Sequence, residues 1–208
     1  MKIGIIGSGN FGGTLTRRLK TLGHDVKVAN SRGPQSLTGL SEETGAKAST
    51  IDDAARDADL VVIAVPVVAV PMLPADAFRD KVVVDANNYN PERDGDIMEI
   101  ADRSLTSSRW TAAHLPGARV IKAFNNIYAQ HLGERGRPPG QDDRIALPVA
   151  GDDAAAKRTV MAVVEELGFD PVDAGTLDES WRQQPDTPVY GTDHDAAGVR
   201  RCLASARP

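Results

Sequence analysis

Six residues near the start of the chain, Gly7-Ser8-Gly9-Asn10-Phe11-Gly12, carry three glycines at the spacing of a strand-to-helix turn that cradles a pyrophosphate. The chemistry such a turn performs is electrostatic recognition. Gly7 permits the tight turn, Gly9 lets the backbone approach the anion, and Gly12 lets helix and strand pack closely, while the first helical N–H groups face the phosphates. Three glycines alone are a weak signal, and the context strengthens it. A β-branched run, Lys2 to Ile6, precedes the turn, and a helical pattern from Gly12 to Leu22 follows it.

A second group lies where the next strand ends. About 20 residues beyond the last glycine, an NAD-selective site places an acid against the ribose 2′-hydroxyl. This chain has Asn30-Ser31-Arg32 there, and no acidic residue from Val26 to Ser41. Amide, hydroxyl and guanidinium donors suit a 2′-phosphate, so the expected cofactor is NADP(H). Gly33-Pro34 opens the next helix with proline in its favoured first-turn position, which brings a second positive helix end to the same place.

The elements that must position these residues alternate. Strands are expected at 2–6, 26–29, 46–48, 60–65 and 81–85, with helices at 12–22, 34–44 and 51–58 between them, the pattern of parallel strands joined by crossover helices. Leu60 to Val65 and Lys81 to Asp85 are continuous apolar runs, as in a sheet covered on both faces. Further strands are expected at 119–124, 144–150 and 169–173, with a helix over 152–167 closed by Gly168. The expected fold is α/β, a Rossmann-type doubly wound and mainly parallel sheet with a short C-terminal extension. Residues 1–130 would form the NADP-binding domain, and residues 131–208 would complete the sheet and an acceptor pocket.

At 208 residues with a net charge of −5, the chain lacks the basic footprint of a nucleic-acid or anionic-membrane partner, and a small-molecule partner is expected. The apolar stretch from Leu60 to Pro74 is too short for a bilayer and is broken by three prolines. The lone Cys202 forms no intramolecular disulfide, and no leader pattern precedes Ile3, so a cytoplasmic protein is expected.

Taken in order, Gly-Ser-Gly-Asn-Phe-Gly, Ser31-Arg32, Asp85-Ala-Asn-Asn88, Val120-Ile-Lys-Ala-Phe-Asn125 and Pro148-Val-Ala-Gly-Asp-Asp153 resemble the NADP oxidoreductases that work with the deazaflavin coenzyme F420. The segments around Asn87-Asn88 and Phe124-Asn125 are also similar to the cytosolic reductase domain of the six-transmembrane ferric reductases. The resemblance implies that Ser8, Gly9, Asn10 and Phe11 wrap the pyrophosphate and that Ser31 and Arg32 hold the 2′-phosphate. It places Val65, Pro66 and Val67 beside the ribose and nicotinamide, and Asn87, Asn88, Ala123 and Asn125 along a hydride-transfer crevice. It further implies a homodimer and a flavin or deazaflavin as second substrate. Asn125 stands where the deazaflavin enzymes carry a histidine.

Other constellations are weaker. Tyr190, Asp193, His194 and Asp195 cluster in the tail, but a single histidine without helical spacing does not make a metal site. The segment from Trp181 to Asp195 is expected to fold over the acceptor pocket. His24 is expected to cap a helix end or lie at the surface, and neither His114 nor His131 has a nucleophile for a partner. No catalytic residue is assigned. The leading expectation is a small-molecule reductase passing hydride between NADPH and a flavin or deazaflavin ring. The alternatives are an NADP(H)-binding sensor or scaffold without turnover, and a carbonyl or imine reductase, for which no proton donor can be named.

Overall fold

A computed structural model describes residues 1–207. The chain runs through β1 (Lys2–Ile6), α1 (Asn10–Thr21), β2 (Asp25–Ala29), α2 (Thr38–Thr44), β3 (Lys47–Ala48), α3 (Ile51–Arg56), β4 (Leu60–Ile63) and β5 (Val82–Asp85). It continues through α4 (Pro91–Asp94), α5 (Met98–Ala101), α6 (Ser107–His114), β6 (Arg119–Lys122), α7 (Ala129–Glu134), β7 (Ala146–Gly151), α8 (Ala154–Glu166), β8 (Asp170–Asp173) and α9 (Ala196–Ser205). The strands form one sheet in the order β3-β2-β1-β4-β5-β6-β7-β8. β1 to β6 are parallel; β7 runs antiparallel to β6, joined only through Ile121–Gly151 and Lys122–Ala150, and β8 is parallel to β7.

The order reverses between β1 and β4, so the connections leaving their carboxyl ends diverge and open a crevice. The continuous apolar strands are explained by cover on both faces. Leu60 and Val62 of β4 join the core shared with Leu15 and Leu19 of α1, while Val61 and Ile63 join the opposite core with Ala54 and Ala55 of α3 and Trp110 of α6. α1 buries Gly12, Leu15, Thr16 and Leu19, one stripe at helical spacing. α8, capped by Asp153 accepting from the Ala156 N–H at 2.8 Å, buries Ala156, Val160, Val163 and Val164 in the same manner. Gly168 closes it at φ 96°.

Several boundaries differ from expectation. α1 starts at Asn10, because Gly9 is its cap. The helix expected over 34–44 is split: Pro34–Leu37 forms a 3-10 turn, pinned by Ser36 N–H donating to the Gly33 carbonyl at 3.1 Å, before α2 begins. β4 stops at Ile63, because the next free backbone donor, Val65 N–H, turns to the Asn87 side chain. The proline-broken stretch after it holds two 3-10 turns, Val67–Met72 and Ala75–Phe78. α4 to α7 are four to eight residues long, too short for hydrophobic periodicity to show. The extension is an integral part of the fold: α9 packs Val199 and Leu203 on Ala146 and Ala150 of β7 and Val172 of β8. No helix is long and apolar enough to cross a membrane.

Candidate functional site: a crevice at the carboxyl edge of the sheet

The glycine turn is fixed by sterics at two of its three glycines. Gly7 sits at φ 110°, and a Cβ there would lie 2.1 Å from the Ala64 carbonyl oxygen; a Cβ at Gly12 would lie 1.9 Å from the Gly7 carbonyl oxygen. Gly9 differs, since a Cβ there meets nothing within 4 Å. The space above Gly9 is open, α1 has no side-chain cap, and no acid stands in its first turn. Its first N–H groups and the positive end of its dipole therefore face the crevice unopposed, which suits an anion.

Asn30, at the end of β2, braces the two loops of this region. Its Nδ2 donates to Ser8 Oγ at 2.9 Å, and its Oδ1 accepts from Arg32 N–H at 2.9 Å. Ser36 Oγ lies 3.1 Å from the same oxygen and donates to the Gly33 carbonyl at 2.7 Å. The Asn30 amide is thus committed to protein partners, and its part is to shape the loop. Ser31 and Arg32 are exposed, and among the described residues the Arg32 guanidinium makes no ion pair. The donors free to meet a phosphate are those two side chains.

The crevice has a volume of about 640 Å³ and is lined by residues 9–12, 64–66, 86–91, 93, 124–125, 127–129, 185, 186 and 190. Most of the sequence-derived residues meet here: Gly9, Asn10, Phe11, Gly12, Val65, Pro66, Asn87, Asn88 and Asn125. Val67 and Ala123 do not, because both are fully buried in the cores beneath. Phe124 takes the wall position next to Ala123, with a left-handed backbone at φ 65°. Gly7 lies under the turn, and Ser8 contacts Asn30.

Three amides from distant segments lock together at the far end. Asn88 Nδ2 donates to the Asn125 carbonyl at 2.7 Å, and Asn125 Nδ2 donates to Asn88 Oδ1 at 3.0 Å and to the Gln183 carbonyl at 2.6 Å. Gln183 Nε2 returns a bond to Asn125 Oδ1 at 3.0 Å and a second to the Pro148 carbonyl at 3.2 Å. Asn87 Oδ1 accepts from Val65 N–H at 2.8 Å, but its Nδ2 is buried without a partner. An orphaned donor in a crevice wall is costly, and a ligand carbonyl would satisfy it.

Beneath the amides lies a charged pair. Lys122 and Asp85 close the buried strands β6 and β5, with Lys122 Nζ 3.4 Å from Asp85 Oδ2 and also bonded to the Asn87 carbonyl. Asp85 further accepts from Ser108 Oγ at 2.7 Å and from Asn87 N–H at 3.1 Å. Burial pushes the Lys122 ammonium below the usual lysine value, against the pull of Asp85. The pair anchors both backbone polar groups of Asn87, and so holds the orphaned amide in place. Sequence reasoning missed Lys122, Asp85 and Gln183 in these roles. The available signal was a charge at the end of each apolar strand, Val82-Val-Val-Asp85 and Val120-Ile-Lys122.

The tail divides between two places. Pro185, Asp186 and Tyr190 line the crevice, as expected for a segment folding over it, whereas Trp181 faces elsewhere. Burial pushes the Tyr190 phenol up. None of the residues lining the crevice is a histidine. His24 is mostly buried rather than at the surface, 2.9 Å from Glu166 Oε2 and 3.3 Å from the N-terminal amine. His114 stacks on Trp110 with ring centroids 4.1 Å apart, and His131 pairs with Asp193 at 2.9 Å.

Comparison with known proteins bears on this geometry. The profile of the family described as NADP oxidoreductase coenzyme F420-dependent matches residues 2–89, the segment from β1 to Asn88 and Tyr89. The F420-dependent NADP reductase of Methanothermobacter thermautotrophicus is 30% identical over 182 residues, 73% of this chain and 75% of that one. The metalloreductase STEAP3 of Rattus norvegicus is 30% identical over 178 residues, 85% of this chain but 34% of its own, and the match to YjhV of Escherichia coli K12, 47% over 70 residues, covers 51% of that protein. The chain thus spans about a third of the length of the first of these two relatives and about half of the second. Among solved structures, the protein SMa0349 of Sinorhizobium meliloti superposes with a TM-score of 0.80 at 31% identity, over 93% of this chain and 95% of that one.

Proposed function

The chain belongs to the family of coenzyme F420-dependent NADP oxidoreductases, and on that premise we propose that it binds NADP(H) along the crevice and exchanges its hydride with a flavin or deazaflavin ring. The observation that carries the reading is a set of unopposed donors at the carboxyl edge of the sheet: the open α1 N-terminus at Gly9 and the orphaned Nδ2 of Asn87, both residues of the crevice lining, and the exposed Ser31-Arg32 pair that follows β2 outside that lining. These fit, in order, a pyrophosphate, a carboxamide carbonyl and a 2′-phosphate.

When bound, the nicotinamide supplies a two-electron hydride; the protein's part is alignment. Val65 and Pro66 line the crevice together with Phe124 and the Asn88 and Asn125 amides, which the buried Gln183 braces from behind, so that a planar ring entering among them is held by groups that do not titrate. Pro185 and Tyr190 cover the opening and reduce access of water. The lining holds no histidine, and its acids are the exposed Asp186 and the phenols of Tyr89, Tyr128 and Tyr190; an acceptor that spreads incoming charge over its own rings asks less of them than a carbonyl or imine does.

Stopped-flow oxidation of NADPH against free flavins, the deazaflavin, quinones, aldehydes and imines tests the reading. Rapid single-turnover oxidation by a flavin or deazaflavin is the expected result. Tight NADPH binding without turnover by any of them would favour a sensor or scaffold instead.

A further inference from the structure

A second cavity, of about 510 Å³, lies between the α5–α6 connection and residues 178–187. Its volume is that of a small-molecule site. Its apolar lining is Ile100, Leu105, Pro185 and Trp181. The lining also includes two exposed guanidinium groups, Arg103 and Arg207, the second of which also donates to the Ala206 carbonyl at 3.0 Å. Two acids also border it, but they do not cancel these charges equally. Asp178 is held by Arg109, whose Nη2 lies 3.0 Å from Asp178 Oδ2, which leaves the exposed Asp186 as the acid without such a partner among the described residues. The cavity therefore combines an aromatic side chain, further apolar groups and an excess of positive charge in one lining.

We propose that this cavity is a second ligand site, for a molecule with a flat apolar body and one anionic group, a sulfonate, carboxylate or phosphate. Trp181 stacks against the body, and Arg103 and Arg207 hold the anion. The site communicates with the crevice through a shared wall, since Pro185 and Asp186 line both. The wall is tied down on each side: Gln184 Oε1 accepts from Ser107 N–H at 3.0 Å at the start of α6, and Gln183 bonds Asn125 in the crevice. The anion is either an arm of a ring acceptor or a separate molecule of the same chemistry; the first source rests on the function proposed above, and the site itself does not.

The test uses the whole chain and two probes, 1-anilinonaphthalene-8-sulfonate and its uncharged counterpart N-phenyl-1-naphthylamine, followed by fluorescence without nucleotide. Saturable 1:1 binding of the sulfonate is expected, with the uncharged probe at least about tenfold weaker, as for loss of a charge-assisted contact. Arg103→Asn combined with Arg207→Gln should weaken the sulfonate by a similar factor, as should Trp181→Leu. Asparagine is chosen at Arg103 because it tolerates the left-handed backbone there, φ 63°. Gly9→Val should leave the sulfonate's affinity unchanged. Equal binding of the two probes, or loss with Gly9→Val but not with the arginine pair, would overturn the proposal. Displacement of the sulfonate by riboflavin 5′-phosphate but not by riboflavin would identify the anion as the arm of a ring acceptor, while displacement by neither would assign the site to a separate molecule.

Discussion

The glycine turn and the loop after β2 that braces it are made entirely from residues 7–36, whereas the amide end of the crevice and its buried support are drawn from residues 65, 87–88, 122, 125 and 183, which meet only when the sheet closes. The first end depends on backbone: two glycines that no other residue can replace, one that leaves space, and a helix terminus left bare. The second depends on side chains, an amide cluster standing on a buried ion pair. Local backbone constraints leave a pattern in a short stretch of sequence, and long-range side-chain partnerships do not. This is why one end was legible from the sequence and the other was named only in pieces.

The largest effects should separate the glycines. Gly12→Val should prevent folding, because its Cβ would sit 1.9 Å from a backbone oxygen that cannot move without breaking the strand-to-helix turn. Gly9→Val should fold with an unchanged circular dichroism spectrum and lose NADPH binding, since its side chain would occupy only the open space of the crevice. A Gly9→Val protein that still bound NADPH would show that the space above the turn is not a nucleotide site, and would remove the backbone end from the comparison.

At the amide end the expected effect is on stability. Lys122→Met leaves the Asp85 carboxylate buried without a counter-charge, and should cost about 3–5 kcal/mol in urea unfolding. Adding Asp85→Asn removes the buried charge and should recover much of that loss. The wild-type pair also has a pH signature. Burial places the folded-state value of Lys122 below lysine's ordinary 10.5, so its contribution is fully present above 10.5 and is lost as pH falls through the folded value. The rise of stability with pH that Lys122 contributes between its folded value and 10.5 should be missing in Lys122→Met, so its slope on the alkaline side should be less positive than the wild type's. An unchanged slope would mean that the ammonium is not desolvated as the structure has it.

A smaller effect belongs to Arg32. Arg32→Ala removes one charge-assisted contact of about 1.5–3 kcal/mol, so NADPH affinity should fall roughly 10- to 100-fold while NADH affinity holds. Calorimetric titration with both nucleotides decides the matter. An equal loss for both would move the 2′-phosphate elsewhere and leave Arg32 as a solvated charge.

The same contrast sets what could be read in advance. The parallel order, the two-sided burial of β4 and β5 and the glycine turn all follow from residue type at fixed local spacing, and the sequence expectation for them agrees with the structure within a few residues. Asn30 was expected as a ligand group and turns out to be a brace, because an asparagine two residues before a backbone N–H readily forms its own turn. Val67 and Ala123 were carried over by position in the chain; their side chains point into the cores, a distinction of strand and turn phase that spacing alone does not settle. Gln183 had no visible partner in sequence, since it lies 58 residues from Asn125.

The smallest expected effect is an absence of one, and it bears on the amide end most directly. A carbonyl or imine acceptor develops charge that a positioned acid must neutralise, and such acids contribute about 10²- to 10⁴-fold and impose their own titration on the rate. The lining of this crevice offers the amides of Asn88 and Asn125, with the buried Gln183 bonded behind them; these would orient a ring edge without exchanging a proton with it. Three phenols, Tyr89, Tyr128 and Tyr190, and the exposed carboxylate of Asp186 also line the crevice, and burial moves Tyr190 further from neutrality rather than toward it. His114 and His131 are occupied at Trp110 and Asp193, outside the lining. Single-turnover oxidation of NADPH at saturating cofactor and ring acceptor should therefore be nearly flat from about pH 6 to 8.5, a window that brackets an ordinary histidine. A one-proton dependence in that window, abolished by His131→Gln, would place an acid in the reaction. It would also show that the amide end does more than align two rings.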